Sequence, residues 1–283
     1  MEIQWHLVFY TLLVGAGVGV FALVAISELM GKGKQYHMSG SIISLVLLAL
    51  GGFASFLHLQ HPERGANILG NFRSPITQEM YLAVVTGLFI LLYIVMIKIE
   101  ASTLSKKVMA GLGLVFGILL VFFSGLLYVF PARPAWNTLL LPLIYFTSSL
   151  SLGIFVLYSW IRFKKLEEKA VSDFAMKALS ALLILQSLLL VGYLAFLSAN
   201  PYPDPTRSIG RVMGGDLTAF FWLGVVLVGL VVPLFLVFQS IKPKAGHSLP
   251  PLTIGAVGIL ATLVGGVAFR TLMYLLGTTV EKF

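Results

Sequence analysis

MYLAVVTGLFILLYIVMI, residues 80–97, runs 18 positions without a charged side chain. As an α-helix rising 1.5 Å per residue it reaches about 27 Å, close to the hydrocarbon thickness of a bilayer. A strand of a membrane barrel would alternate apolar and polar residues over about ten positions, and this stretch does not. It therefore reads as a transmembrane helix, with Glu79 at one margin and Lys98 at the other.

Seven similar runs surround it. The eight expected spans are approximately Leu7 to Met30, Gly40 to Leu59, Gln78 to Ile97, Val108 to Phe130, Trp136 to Trp160, Phe174 to Leu197, Asp216 to Gln239 and Leu252 to Leu275. The first is too long for a signal-peptide core and lacks a basic leader, so it reads as a mature helix. The whole chain fits: 58% of its residues are hydrophobic, 11% are charged, and its mean hydropathy is +0.97. A soluble domain carries about 25% charged residues. The fold class is all-α, a polytopic membrane protein of eight helices in a bundle, with residues 1–283 forming a single integral membrane domain.

The formal net charge of +8 does not point to nucleic acid. Its lysines and arginines sit between the apolar runs, and no soluble stretch is long enough for a nucleic-acid-binding module. Twelve of them (Lys32, Lys34, Lys98, Lys106, Lys107, Arg162, Lys164, Lys165, Lys169, Lys177, Lys242 and Lys244) fall on one side. Six (Arg64, Arg73, Arg133, Arg207, Arg211 and Lys282) fall on the other. The positive-inside rule then places both termini outside. The loops on that outer side carry prolines and aromatics, which suggest rigid, non-helical connections. Within the spans, Gly15 with Gly19 and Gly113 with Gly117 are spaced for close helix packing. Pro142 and Pro233 are expected to kink the helices that hold them.

Absences narrow the chemistry. The chain has no cysteine, so it holds no thiolate-bound iron–sulfur cluster and forms no disulfide. The sequence contains no P-loop, no GxSxG and no HExxH pattern. Its histidines are His6, His37, His58, His61 and His247. By the span boundaries His37 and His247 fall in inner loops and the others near the outer interface, so none is placed for bis-histidine haem ligation.

Two ionisable groups flank the first outer loop. His58 titrates near neutral pH and can accept a proton from a quinol, or it is simply a polar helix end. Glu79 stands in the first turn of its helix, where the macrodipole favours a carboxylate on structural grounds alone. Ser74-Pro75 before it suits a helix start. Yet Glu79 also borders a long uncharged span, where ionisable groups mark function. Arg270 is the one cation beyond the first turn of any span, with Tyr274 one turn beyond it. It either snorkels to the interface, pairs with a buried carboxylate, or holds a quinone oxygen.

The stretch Leu57-His58-Leu59, Pro62, Arg64, Asn71, Ser74 and Glu79 resembles the membrane-anchor subunit of the dimethyl sulfoxide reductase family, related to the polysulfide reductase-type anchors. Trp5-His6 before a glycine-rich first helix, Pro134-Ala135-Trp136-Asn137 opening the fifth, and Arg270 with Met273 and Tyr274 extend the likeness over the chain. One departure is Gly266, where the family often has an acid one turn before the arginine.

The resemblance implies a quinol-oxidising anchor in the prokaryotic cytoplasmic (inner) membrane. It implies menaquinol as the bound group, with neither haem nor an iron–sulfur cluster in this chain. His58 and Glu79 would be the reacting residues, and Arg64, Ser74, Arg270 and Tyr274 would complete the binding set. Electrons would pass to a four-cluster ferredoxin-like iron–sulfur subunit docked against Arg64, Arg73, Arg133 and Trp136, and from there to a molybdopterin catalytic subunit. Two rival readings are a proton-coupled secondary transporter, against which stands the clustering of polar groups at one face, and an anchor without quinol chemistry.

Overall fold

The computed structural model describes residues 3–57, 70–166, 169–241 and 249–277. Eight helices are long and apolar enough to cross a membrane. They are α1 (Trp5–Leu29), α2 (Lys34–Phe56), α3 (Pro75–Lys98), α4 (Thr103–Leu126), α5 (Leu140–Phe163), α6 (Lys169–Ala199), a seventh span, and α9 (Pro251–Leu276). The seventh begins as π-helical turns, Phe220–Val231, and continues as α8, Val232–Ile241. No strand occurs among the described residues. A multi-pass membrane protein is the only class these lengths and compositions fit.

Helices α1 and α5 form the centre. In their most apolar windows 83% and 78% of residues are buried, against 22% in α2 and 17% in α3, which therefore turn most of their surface to lipid. The centre is tight because its residues are small. A Cβ at Gly19 would lie 2.7 Å from the Leu150 carbonyl and 3.0 Å from the Cα of Gly153. Gly15 meets Ser149 across the same seam, and Gly113 and Gly117 receive Phe21 and Val18 of α1. Both glycine pairs thus pack helices onto α1, as their spacing suggests. The short α1–α2 turn is possible because Gly31 and Gly33 take positive φ angles of 72° and 75°.

Several expectations change. The connection between α6 and the seventh span is helical: α7, Pro203–Met213, replaces the non-helical loop expected there. Pro203 begins this helix and Arg211 ties it down, chelating Asp216 through Nε (2.9 Å) and Nη2 (2.7 Å) and donating to the Leu275 carbonyl at 2.8 Å. That bond holds the Asp216 carboxyl below the usual carboxylate range. Trp136 does not open α5, which starts at Leu140. Pro142 consequently falls in the first turn of α5, where its missing N–H would have no helical partner in any case. Pro233 sits where the π-helical turns give way to α8, and the residue four before it, Gly229, packs on Gly265. His37 is not in a loop but on α2, 2% exposed.

Candidate functional site

Helix α3 buries only Thr77, Glu79, Thr86, Ile90 and Tyr93. Its lipid-facing surface is apolar, and the stripe it turns inward is largely polar. That inversion of the soluble pattern is what a helix beside a membrane-embedded site requires. Ser74 precedes α3 in an extended conformation and Pro75 opens it, so the helix start read from the sequence holds. Glu79 lies one turn further on.

Glu79 is 6% exposed and stands where two cavities meet. The larger, about 740 Å³, lies at the end of the bundle where α1 and α3 begin and α2 and α4 end. Tyr10, Thr11, Ser55, Ser74, Ser124 and Tyr128 supply its polar wall, and Leu7, Phe123, Leu127 and Phe130 its apolar one. This size and mixture are those of small-molecule sites. The second, about 440 Å³, is a groove between α2 and α3 with Leu45, Leu48, Ala83 and Val84 on its walls. Tyr10, Ser55, Ile76 and Glu79 belong to both. At Gly52 and Gly87 of the groove an added Cβ would meet nothing within 4 Å, so glycine keeps it open.

The hydroxyls of Tyr10 and Ser124 face the Glu79 carboxyl. Its Oε1 is buried and has no hydrogen-bond partner among the described residues. A buried carboxyl oxygen without a donor costs about 1–3 kcal/mol or more. A ligand hydroxyl in the cavity would remove that cost.

The wall behind the cavity is aromatic and cationic. The Tyr128 hydroxyl lies 3.2 Å from that of Tyr274, and the Tyr128 ring packs against Trp136, Tyr145 and Tyr274. Burial pushes the Tyr128 phenol well above the ordinary tyrosine value, so it stays protonated and acts as a donor. Arg270 is completely buried. Its Nε donates to Thr11 at 2.8 Å, Nη2 to Ser149 at 2.9 Å, and Nη1 to Ser148 at 3.4 Å and to the Gly266 carbonyl at 3.3 Å. The guanidinium stacks 4.3 Å from the Tyr145 ring centroid. It does not snorkel, and no carboxylate bonds it among the described residues. At Gly266, the position noted above as a departure from the resembled family, the bare backbone offers its carbonyl to Arg270.

Of the residues singled out by sequence, Glu79 and Ser74 line the cavity. Arg270 and Tyr274 stand one side chain behind it, touching Thr11 and Tyr128 of its wall. His58 and Arg64 lie outside the described residues, as does His61. Trp136 is 2% exposed and donates to the Met273 carbonyl at 2.9 Å, so it is part of the wall rather than a docking surface. Arg133 covers it, 4.3 Å from its ring, while Arg73 is exposed. Sequence reading passed over Tyr10, Ser124 and Tyr128. Tyr10 and Ser124 are single hydroxyls inside apolar runs, and only tertiary packing turns them toward Glu79.

Fold and cavity together define a polytopic helical membrane protein with a membrane-embedded pocket at one end of its bundle. A family model described as "Polysulphide reductase, NrfD" matches residues 1–280, and the chain belongs to that family. Membrane subunits of the family are quinone-interacting anchors of molybdoenzyme complexes, partnered by iron–sulfur and molybdopterin catalytic subunits. No curated protein matches the chain.

Proposed function

We propose that this chain is the quinol-oxidising anchor of a molybdopterin oxidoreductase, with menaquinol bound in the 740 Å³ cavity. The observation that carries the reading is the unpartnered Oε1 of Glu79 at the junction of the two cavities. A bound quinol supplies two electrons and two protons on oxidation. Glu79 provides the oxygen that accepts a hydroxyl proton, held in place by Tyr10 and Ser124. Tyr128 donates a hydrogen bond from the far wall. Arg270, one hydroxyl behind Thr11, puts a fixed positive charge near the ligand site and draws electron density toward it. The apolar wall excludes water. The α2–α3 groove admits the ring laterally from lipid and holds its tail.

His58 is the second acid–base group in this reading. It follows Ser55, a cavity-lining residue, by three positions. Termini and cavity lie on the outer side of a prokaryotic cytoplasmic membrane, and a four-cluster iron–sulfur subunit docks there against Arg64, Arg73 and Arg133. Cationic groups suit an acidic partner surface.

Glu79→Gln keeps the shape and removes the proton acceptor. Quinol-dependent turnover of the assembled complex is expected to fall by about 10² or more, the range of general-base contributions. His58→Ala is expected to abolish it with assembly intact. Native turnover in both well-assembled variants contradicts the proposal.

A further inference from the structure

The other end of the bundle holds a second buried polar cluster that the quinol site does not use. Glu28 is the penultimate residue of α1, His37 stands in the first turn of α2, and Tyr93 ends the inward stripe of α3. Their exposures are 5%, 2% and 0%. His37 Nδ1 lies 2.9 Å from Glu28 Oε2, and the Tyr93 hydroxyl donates to the same oxygen at 2.8 Å. His37 Nε2 lies 3.0 Å from the Ser27 hydroxyl, which itself donates to the Val24 carbonyl at 2.7 Å.

Counting hydrogens places a proton there. Ser27 spends its one hydrogen on Val24, so its oxygen can only accept, and Nε2 must carry a hydrogen. Glu28 Oε2 and His37 Nδ1 then face each other at 2.9 Å. Two bare acceptors do not approach that closely, and the Tyr93 hydroxyl, 2.8 Å from Oε2 and 3.1 Å from Nδ1, spends its one hydrogen on Oε2, so a second hydrogen lies between carboxylate and imidazole. The alternative arrangement has one proton fewer. In it Ser27 turns its hydroxyl to Nε2, and the sole ring hydrogen sits on Nδ1, toward Glu28. The two arrangements differ by one proton and by rotation of the Ser27 hydroxyl from the Val24 carbonyl to Nε2.

We propose that Glu28, His37, Tyr93 and Ser27 form a proton-binding site, loaded from the lysine-rich side of the membrane. The proton comes from water at that face and is held between carboxylate and imidazole as a unit. Access is short: Lys34, one turn before His37, is exposed, as is Met30. The titratable groups around the site are Tyr36, whose ring centroid is 5.4 Å from that of His37, and Tyr93 on α3. Helix α5 brings Tyr158 and Arg162 to the same end, and Lys32, Lys34, Lys98, Lys106 and Lys107 surround it in the chain. A purely structural tie between three helices needs no ionisable groups, since apolar residues of similar volume serve as well or better. Helix α3 also carries Glu79, Thr86 and Tyr93 at intervals of seven residues, two turns apart on its buried stripe, and so joins this site to the cavity.

The test uses the purified full chain in lipid nanodiscs and no quinol, so it succeeds or fails separately from quinol oxidation. Nitrogen-15 NMR of His37 and carboxyl-stretch infrared spectroscopy are recorded from about pH 5 to 8, the histidine range. The expected result is one titration step seen by both probes, its carboxyl component lost in Glu28→Gln and its imidazole midpoint displaced there. A His37 signal that does not change over this range in the native chain overturns the proposal, whether or not the variants fold. So does a His37 titration that is identical in native chain and Glu28→Gln.

Discussion

Glu79 shows how a single position carries both a structural and a chemical demand. Read from sequence as a first-turn residue, its carboxylate would suit the helix dipole at the interface, but α3 starts at Pro75 and Glu79 falls one turn in. The structure instead buries it between hydroxyls and leaves one oxygen without a donor. Tyr128 meets the cavity from the opposite wall with a phenol that burial keeps protonated. Tyr128→Phe should therefore lower quinol turnover by a factor that does not vary with pH across the neutral range, because the lost donor never titrates there. The expected size is about 3- to 10-fold, the value of one neutral hydrogen bond. A pH-dependent loss, or none, would show that the phenol does not touch the quinol. At this scale the sequence was legible where charge interrupts hydrocarbon, at Glu79 and Arg270. It was opaque where the polar atom is one hydroxyl in an apolar run, as at Tyr10 and Ser124. His37 was misplaced for a related reason: its helix begins with the polar run Lys34-Gln35-Tyr36-His37, which reads as loop until the turn glycines are seen to be tight.

Among the elements, α2 and α3 are the least buried spans, yet they form the groove that meets Glu79. Their exposure follows from function if a lipid-soluble ring enters there. Gly87→Phe places a ring in a groove where glycine leaves open space. The KM for a long-tailed quinol is expected to rise about tenfold or more, equivalent to roughly 1.4 kcal/mol. A short-tailed, water-soluble analogue, which needs no groove, should turn over as before. Equal effects on both would place the tail elsewhere. Hydropathy located all eight spans, because an uncharged run of bilayer length has few alternatives. It missed α7, whose proline- and charge-bearing segment Pro203-Asp204-Pro205 reads as a turn; proline at a helix start is compatible with both.

Over the whole molecule, the two polar clusters sit at opposite ends of one bundle, joined by α1 and α3. The cavity end carries most of the arginines and the other end most of the lysines, the bias on which the proposed orientation rests. Because the sequence has no cysteine, single replacements report sidedness without background. Ser102→Cys, in the exposed α3–α4 turn, should react with a membrane-impermeant thiol reagent only from the cytoplasmic side. Asn137→Cys, exposed before α5, should react only from outside. The reverse pattern would put the cavity on the cytoplasmic face.

The central claim, that a quinol ring occupies the cavity beside Glu79, is tested most directly by cross-linking a photoreactive menaquinone analogue to the complex and mapping the labelled peptides. The account predicts label on the first turns of α1 and α3 and on the segment containing Tyr128, competed away by excess menaquinol and weakened in Glu79→Gln. Label confined to the lysine-rich end, or spread evenly over lipid-facing helices and unaffected by competitor, would contradict it.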